Sequence, residues 1–193
     1  ADEWMKSLPL GNGRLGVMIY GGIETETLAL NESTMWSGEY DEHQQRPFGR
    51  EKLNQVRKLF FENNLSEGNH VAGNMMAGSP HSVGTLLPIG DLKINFSYPQ
   101  GEISDYRHEL DLHTAINTVS YKVGNTEYIR QCIASNPDDV VAMHIKASRP
   151  KAITMELELK LLRQANVVAS GNQLIYTGNA EFEKHGKGGV HFE

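Results

Sequence analysis

The sequence holds one cysteine, Cys132, so no disulfide can close within the chain. It stands in a β-prone run, where a small buried side chain is expected rather than a reactive thiol. No run of 18 apolar residues occurs, so there is no candidate membrane-spanning helix and no membrane partner is expected. Ala1 to Leu10 lack a basic segment followed by an apolar one, so no secretory leader is read there. Lysines and arginines are scattered and the net charge is −6, which supplies no concentrated positive face for a phosphate backbone. Nucleic acid is therefore not an expected partner. The eight histidines (43, 70, 81, 108, 113, 144, 185 and 191) contain no HxH, HxxxH or HExxH pair, so no metal site is expected.

What the sequence has in quantity is alternation. In Ile153–Leu161 the odd positions Ile153, Met155, Leu157, Leu159 and Leu161 are apolar, while Thr154, Glu156, Glu158 and Lys160 are polar. Successive strand side chains point to opposite faces, so this is a strand with one dry and one wet face. Val141, Met143, Ile145 and Ala147 repeat the pattern, as do Leu92, Ile94 and Phe96. Half-wet strands are characteristic of antiparallel sheets. Residues 116–123 and 126–134 are β-prone runs joined by Gly124-Asn125, a two-residue hairpin turn. That register sets Val123 opposite Thr126, Lys122 opposite Glu127 and Tyr121 opposite Tyr128. Asn136-Pro137-Asp138-Asp139 marks the next turn, and Gly171-Asn172 opens a last strand pattern around Leu174–Thr177.

One stretch departs from this. Arg50–Asn63 reads as a helix with Leu53, Val56, Leu59 and Phe60 on one face, and Ser66–Met76 as a second, with Ser66 as N-cap and Val71, Met75 and Met76 inward. The expected fold is mainly β and antiparallel, with a small helical insertion at about residues 50–76 after the second or third strand. Residues 1–193 are expected to form one domain, cut at both ends from a larger protein.

Candidate chemistry is sparse. Gly11-Asn12-Gly13-Arg14-Leu15-Gly16 matches GxGxxG, but it leads into a strand, Leu15–Tyr20, instead of a helix; a tight turn is expected, not a dinucleotide site. Glu156 and Glu158 would lie about 7 Å apart on one strand face, a separation open to glycoside hydrolysis. A solvated strand face is ordinarily charged, and no pocket is implied that would raise one carboxyl. Glu24, Glu26 and Glu32 are likewise expected at the surface. The first forty residues crowd Asn12, Arg14, Asn31, Glu32, Trp36 and Ser37 into loops beside short strands. Arg and Trp in such places are favoured anchors for interfaces and for sugar stacking, although Trp36 packing over its own core is an equal reading.

Longer motifs go further. Pro9–Gly16, Tyr20-Gly21-Gly22, Leu30–Gly38, Leu87–Leu92, Tyr106–Leu112 and Ala134–Asp138, in that order, resemble the N-terminal domain of glycoside hydrolase family 95, a glycosyl hydrolase family 65 N-terminal-type domain. The resemblance covers residues 4 to about 147 well and the remainder weakly. It implies an antiparallel β-super-sandwich placed ahead of a helical linker and a catalytic (α/α)6 barrel that this chain does not contain. The implied activity is that of an inverting exo-glycoside hydrolase, an α-L-fucosidase or α-L-galactosidase acting on glycan ends, periplasmic or secreted. A Glu acts as acid, and an Asp with neighbouring Asn residues activates water. No metal or organic cofactor is implied, and no catalytic residue transfers to this chain. Asn12, Arg14, Asn31 and Trp36 are the residues expected at a substrate-binding or interdomain surface. The implied partners are the barrel of the same polypeptide and a fucosylated or galactosylated glycan. Two other readings remain: a carbohydrate-binding module using Trp36, Tyr40 and Tyr98, and a structural β domain that oligomerises through a sheet edge.

Overall fold

A computed structural model describes residues 3–38, 49–76, 84–182 and 188–193. The chain divides into two compact units. The first is built from the described residues before Trp36 with Leu86–Gly178 and Phe192–Glu193; the second from those of Trp36–Thr85 and Asn179–His191.

The first unit is a two-sheet sandwich. One sheet runs β1 (Leu8–Gly11), β2 (Leu15–Ile19), β3 (Thr25–Glu32), β4 (Gly90–Phe96) and β9 (Met155–Leu161) in that spatial order. The other runs β5 (Ile103–Asp111), β6 (Ile116–Val123), β7 (Thr126–Ser135) and β8 (Val140–Ala147). Pairing is antiparallel throughout both sheets. A further hairpin joins β10 (Asn166–Ser170) to β11 (Gln173–Asn179) across Gly171.

The β6–β7 register is the expected one, with Tyr121 opposite Tyr128, Lys122 opposite Glu127 and Val123 opposite Thr126. Gly124 has φ +56°, which the two-residue turn requires and a β-branched residue would adopt only under strain. Lys122 carries its ion pair to Asp105 on β5, at 2.7 Å, instead of across the hairpin.

Leu10, Val17, Ile19 and Leu28 from the first sheet pack with Cys132 of β7, and Leu110, Val141 and Met143 close around them. Each fully buried aliphatic chain of this kind contributes about 1.5–3 kcal/mol relative to exposure. Burial pushes the Cys132 thiol up to about 11, so it is an inert core group, as expected.

The second unit contains α1 (Arg50–Phe61) and α2 (Leu65–Met76), packed together. Glu51 lies in the first turn of α1 and Lys58 in its last, each matching the nearby end of the helix dipole. Asn63 takes φ +61° just past the helix end and donates its amide to the Phe60 carbonyl, turning the chain into α2. Gly68 lies against the Phe60 ring, where a side chain would crowd it at 3.2 Å. α2 begins at Leu65, so Ser66 lies inside its first turn instead of capping it. Val56 is buried and Leu53, Leu59, Val71 and Met75 are half-buried, as expected, whereas Phe60, expected on the same face, is exposed and the Met76 side chain lies outside the described residues.

Candidate functional site

The glycine-rich segment is the β1–β2 turn. Gly13 has φ +97°, and the Asn12 amide donates to the Leu15 carbonyl at 3.1 Å. The Asn12 side chain organises this turn from within. Its Oδ1 accepts from the amides of Arg14 (2.9 Å) and Leu15 (2.7 Å). An Asn is suited to this because its side-chain carbonyl mimics a backbone turn.

The other end of that side chain reaches the second sheet. Asn12 Nδ2 donates to the Ser135 carbonyl at 2.8 Å and to Asp139 Oδ1 at 3.1 Å, while Asn136 Nδ2 returns a bond to the Asn12 carbonyl at 2.8 Å. Arg14 adds two ion pairs, Nε to Glu32 at 2.9 Å and Nη1 to Asp139 at 2.7 Å. Asp139 is held at φ +55° in the β7–β8 turn, and Ser135 Oγ donates to Asp138 within that same turn. The two turns are thus clasped together at one end of the sandwich.

Burial pushes the Glu32 carboxyl up, but hydrogen bonds from Thr34 and Arg14 outweigh it and hold the group below the ordinary carboxylate value. A proton-donating acid in glycoside hydrolysis needs the opposite displacement. The clasp can hold polar groups in place; it is not built as an acid–base pair.

The structure therefore brings together two of the four expected site residues, Asn12 and Arg14. Asn31 lies on β3 opposite Gly16, exposed and on the other face of the strand from Leu30. Trp36 belongs to the second unit. Its carbonyl accepts from the Val190 amide at 3.0 Å and the residue is 48% exposed. The backbone there is pinned, since the Ser37 amide donates to the Thr85 carbonyl at 3.0 Å and Ser37 Oγ accepts from the Thr85 amide at 3.0 Å.

Several expectations change. Glu24, Glu156 and Glu158 are exposed as read, but Glu26 is fully buried and ion-paired with buried Arg130 at 3.2 Å. Glu26 shares the dry face of β3 with Leu28 and Leu30, and Arg130 that of β7 with Tyr128 and Cys132; alternation was the signal that would have found both. Glu26 Oε1 accepts from the amides of Gly21 (2.7 Å) and Thr27 (3.1 Å). Arg130 donates to the Gly22 carbonyl at 2.6 Å and lies 5.0 Å and 5.3 Å from the ring centres of Phe96 and Tyr121. Closed to solvent, the pair fixes the two sheets to each other and offers a substrate nothing.

Tyr98 is not part of an exposed platform. Its ring packs with Phe96, Tyr121 and Tyr128, its hydroxyl donates to the Ile23 carbonyl at 2.9 Å, and it contacts the Tyr121 hydroxyl. Tyr40 lies outside the described residues, as do His43, His81 and His185. Among the described residues no three His, Cys, Asp or Glu side chains converge as a metal site would require. His108 is half-buried beside Gly21 and bonded to Asn117, not a surface group.

Comparison with known proteins adds an independent line. A family model described as "Glycosyl hydrolase family 65, N-terminal domain" matches residues 1–193. "Alpha-L-fucosidase 2" of Arabidopsis thaliana is 36% identical over 183 residues, 92% of this chain and 21% of that protein. "Probable alpha-fucosidase A" of Aspergillus niger is 30% identical over 89% of this chain and 22% of its own length. The chain thus spans about a fifth of the length of the curated relatives it matches.

Proposed function

The chain belongs to the glycosyl hydrolase family 65 N-terminal domain family, and on that premise we propose that it is the supporting β module of an inverting exo-α-L-fucosidase of family 95 type. One observation carries this reading: 36% identity runs through 92% of the chain yet accounts for only 21% of a protein named as a fucosidase. The catalytic acid and base belong to a barrel elsewhere in the longer polypeptide, and the substrate is the fucosylated or galactosylated end of a glycan. The module supplies a rigid wall against which that barrel is held. Its clasped end, with Asn12 and Arg14, is the docking or rim surface, and Asn31 and Trp36 are further contacts of the same role. The whole enzyme works in the periplasm or outside the cell.

The absence of an acid–base arrangement around Glu32 and Asp139 supports the view that residues 1–193 alone do not hydrolyse glycosides. The test is turnover of an aryl α-L-fucoside by the whole polypeptide and by residues 1–193. The whole should turn over and the piece should not. Turnover by the piece, abolished by Arg14→Ala, would overturn the reading. Exposed Trp36 favours one second reading, a carbohydrate-binding module. Saturable binding of a fucosylated glycan to residues 1–193, lost in Trp36→Ala, is the result that would establish it.

A further inference from the structure

We propose that Asn12-Gly13 is a self-modification site, an Asn amide converted to a carboxylate by attack of its own backbone, and that the clasp between the β1–β2 and β7–β8 turns controls when this happens. The inference does not depend on what the longer polypeptide catalyses.

The chemistry needs only the chain and water. The Gly13 N–H proton goes to water and its nitrogen bonds to Asn12 Cγ. The Cγ–Nδ2 bond breaks, and the departing nitrogen takes a proton from water to leave as ammonia. A second water opens the five-membered imide to Asp or to its β-linked isomer. Glycine hinders this sequence least, having no side chain beside its nitrogen. Asn12-Gly13 is the one Asn-Gly pair in the sequence, and Gly13 is exposed, with nothing within 4 Å of where a Cβ would stand.

The turn half-prepares the reaction. The amides of Arg14 and Leu15, at 2.9 Å and 2.7 Å, are placed to steady negative charge growing on Asn12 Oδ1. What withholds it is position. Ring closure swings Gly13 N towards Cγ, and the Asn12 carbonyl, in the same peptide plane, must swing with it. Asn136 Nδ2 holds that carbonyl at 2.8 Å. Asn12 Nδ2 is itself tied to the Ser135 carbonyl at 2.8 Å and to Asp139 Oδ1 at 3.1 Å. All three restraints come from the β7–β8 turn, so the reaction waits for the two turns to part, a local opening that leaves the rest folded.

The product cannot rejoin. A carboxylate at position 12 has no hydrogen for the Ser135 carbonyl, and it meets Asp139 Oδ1 as like charge where the amide had donated. Arg14 is already shared between Glu32 and Asp139. Modification therefore leaves the clasp open, a slow one-way ageing step at this end of the sandwich.

The test uses the whole polypeptide in mildly alkaline buffer. Trypsin cuts after Lys6 and Arg14 and frees residues 7–14, in which mass spectrometry reads the amide-to-acid change at Asn12. Conversion should run about tenfold or more slower in the folded protein than in urea, since only the open population reacts. Equal rates would overturn the proposal. Asn136→Ala, at an exposed position, should speed conversion of the folded protein about threefold to tenfold and leave the rate in urea unchanged. An unchanged folded rate, or an equal gain in Ile19→Ala, which loosens the core without touching the clasp, would refute control by the clasp. Asn12→Asp should hasten amide exchange across residues 135–140. Adding Asp139→Asn, which supplies a donor again, should slow it. Exchange that is unchanged, or not rescued, would sink the claim that modification leaves the clasp open.

Discussion

On β6, Val119 and Tyr121 are each 1% exposed; on β9, Met155 and Leu157 keep nearly half their surface in water. Both strands alternate apolar and polar residues, and both pair antiparallel with their neighbours. The difference is what stands across from them. Across from β6 the ring of Tyr98, just after β4, closes over Tyr121 beside Tyr128 of the neighbouring β7. β9 lies at the edge of its sheet among the described residues. Alternation records that a face is made to be dry. Only the opposite layer makes it so.

The largest effect is expected where the covered region holds charge. Arg130→Met should destabilise the chain by about 3–5 kcal/mol in urea unfolding, because it leaves Glu26 buried without its partner. Adding Glu26→Gln should recover most of that loss. If the single variant is as stable as the parent, the inter-sheet layer is not closed as described. Next, Ile19→Ala should cost about 2–5 kcal/mol, and Leu157→Ala in the same 193-residue chain about 1 kcal/mol or less. Equal losses would erase the contrast between the two faces.

A pH series sharpens it. Burial raises the Glu26 carboxyl above its ordinary 4.5, against the opposing pull of Arg130. The folded state therefore holds this proton more tightly, so the associated stability is present below pH 4.5 and is lost as pH rises through the folded value. Relative to the Glu26→Gln variant, the parent should lose stability as pH rises from 4.5 through the folded value and hold level beyond it. A parallel pair of stability curves would contradict it. The smallest effect expected is at the hairpin turn. Gly124→Ala should cost about 1 kcal/mol through its positive φ, without changing which β6 and β7 residues pair in amide-exchange experiments.

How much of this was legible in the residues depended on local simplicity. Gly124-Asn125 leaves one register open to its flanking runs, so the β6–β7 pairing could be read directly. The helices followed from one buried face on Leu53, Val56 and Leu59. β1 was obscured by its length of four residues and by Pro9, and β5 by a bulge between Ser104 and Arg107, where Asp105 takes φ +54° and the alternation slips. Glu26 and Arg130 were hidden by their charge, although they occupy dry positions. In the candidate site, crowding of Asn12 and Arg14 was legible, but their partners Ser135, Asn136 and Asp139 lie far along the chain. No local pattern could pair them.

That separation has a consequence for synthesis on the ribosome. The Asn12 side chain bonds to a carbonyl 123 residues later. At roughly 5–20 residues per second, about 6–25 seconds pass between the emergence of the two. Throughout that interval β1 to β3 exist without the sheet that covers Val17, Ile19 and Leu28. The helix pair α1–α2, whose contacts are short in sequence, is free to form meanwhile. The nascent chain thus carries a sticky, half-made sheet past a folded helical hairpin, and its release from that hazard comes only when the β7–β8 turn arrives to close the clasp.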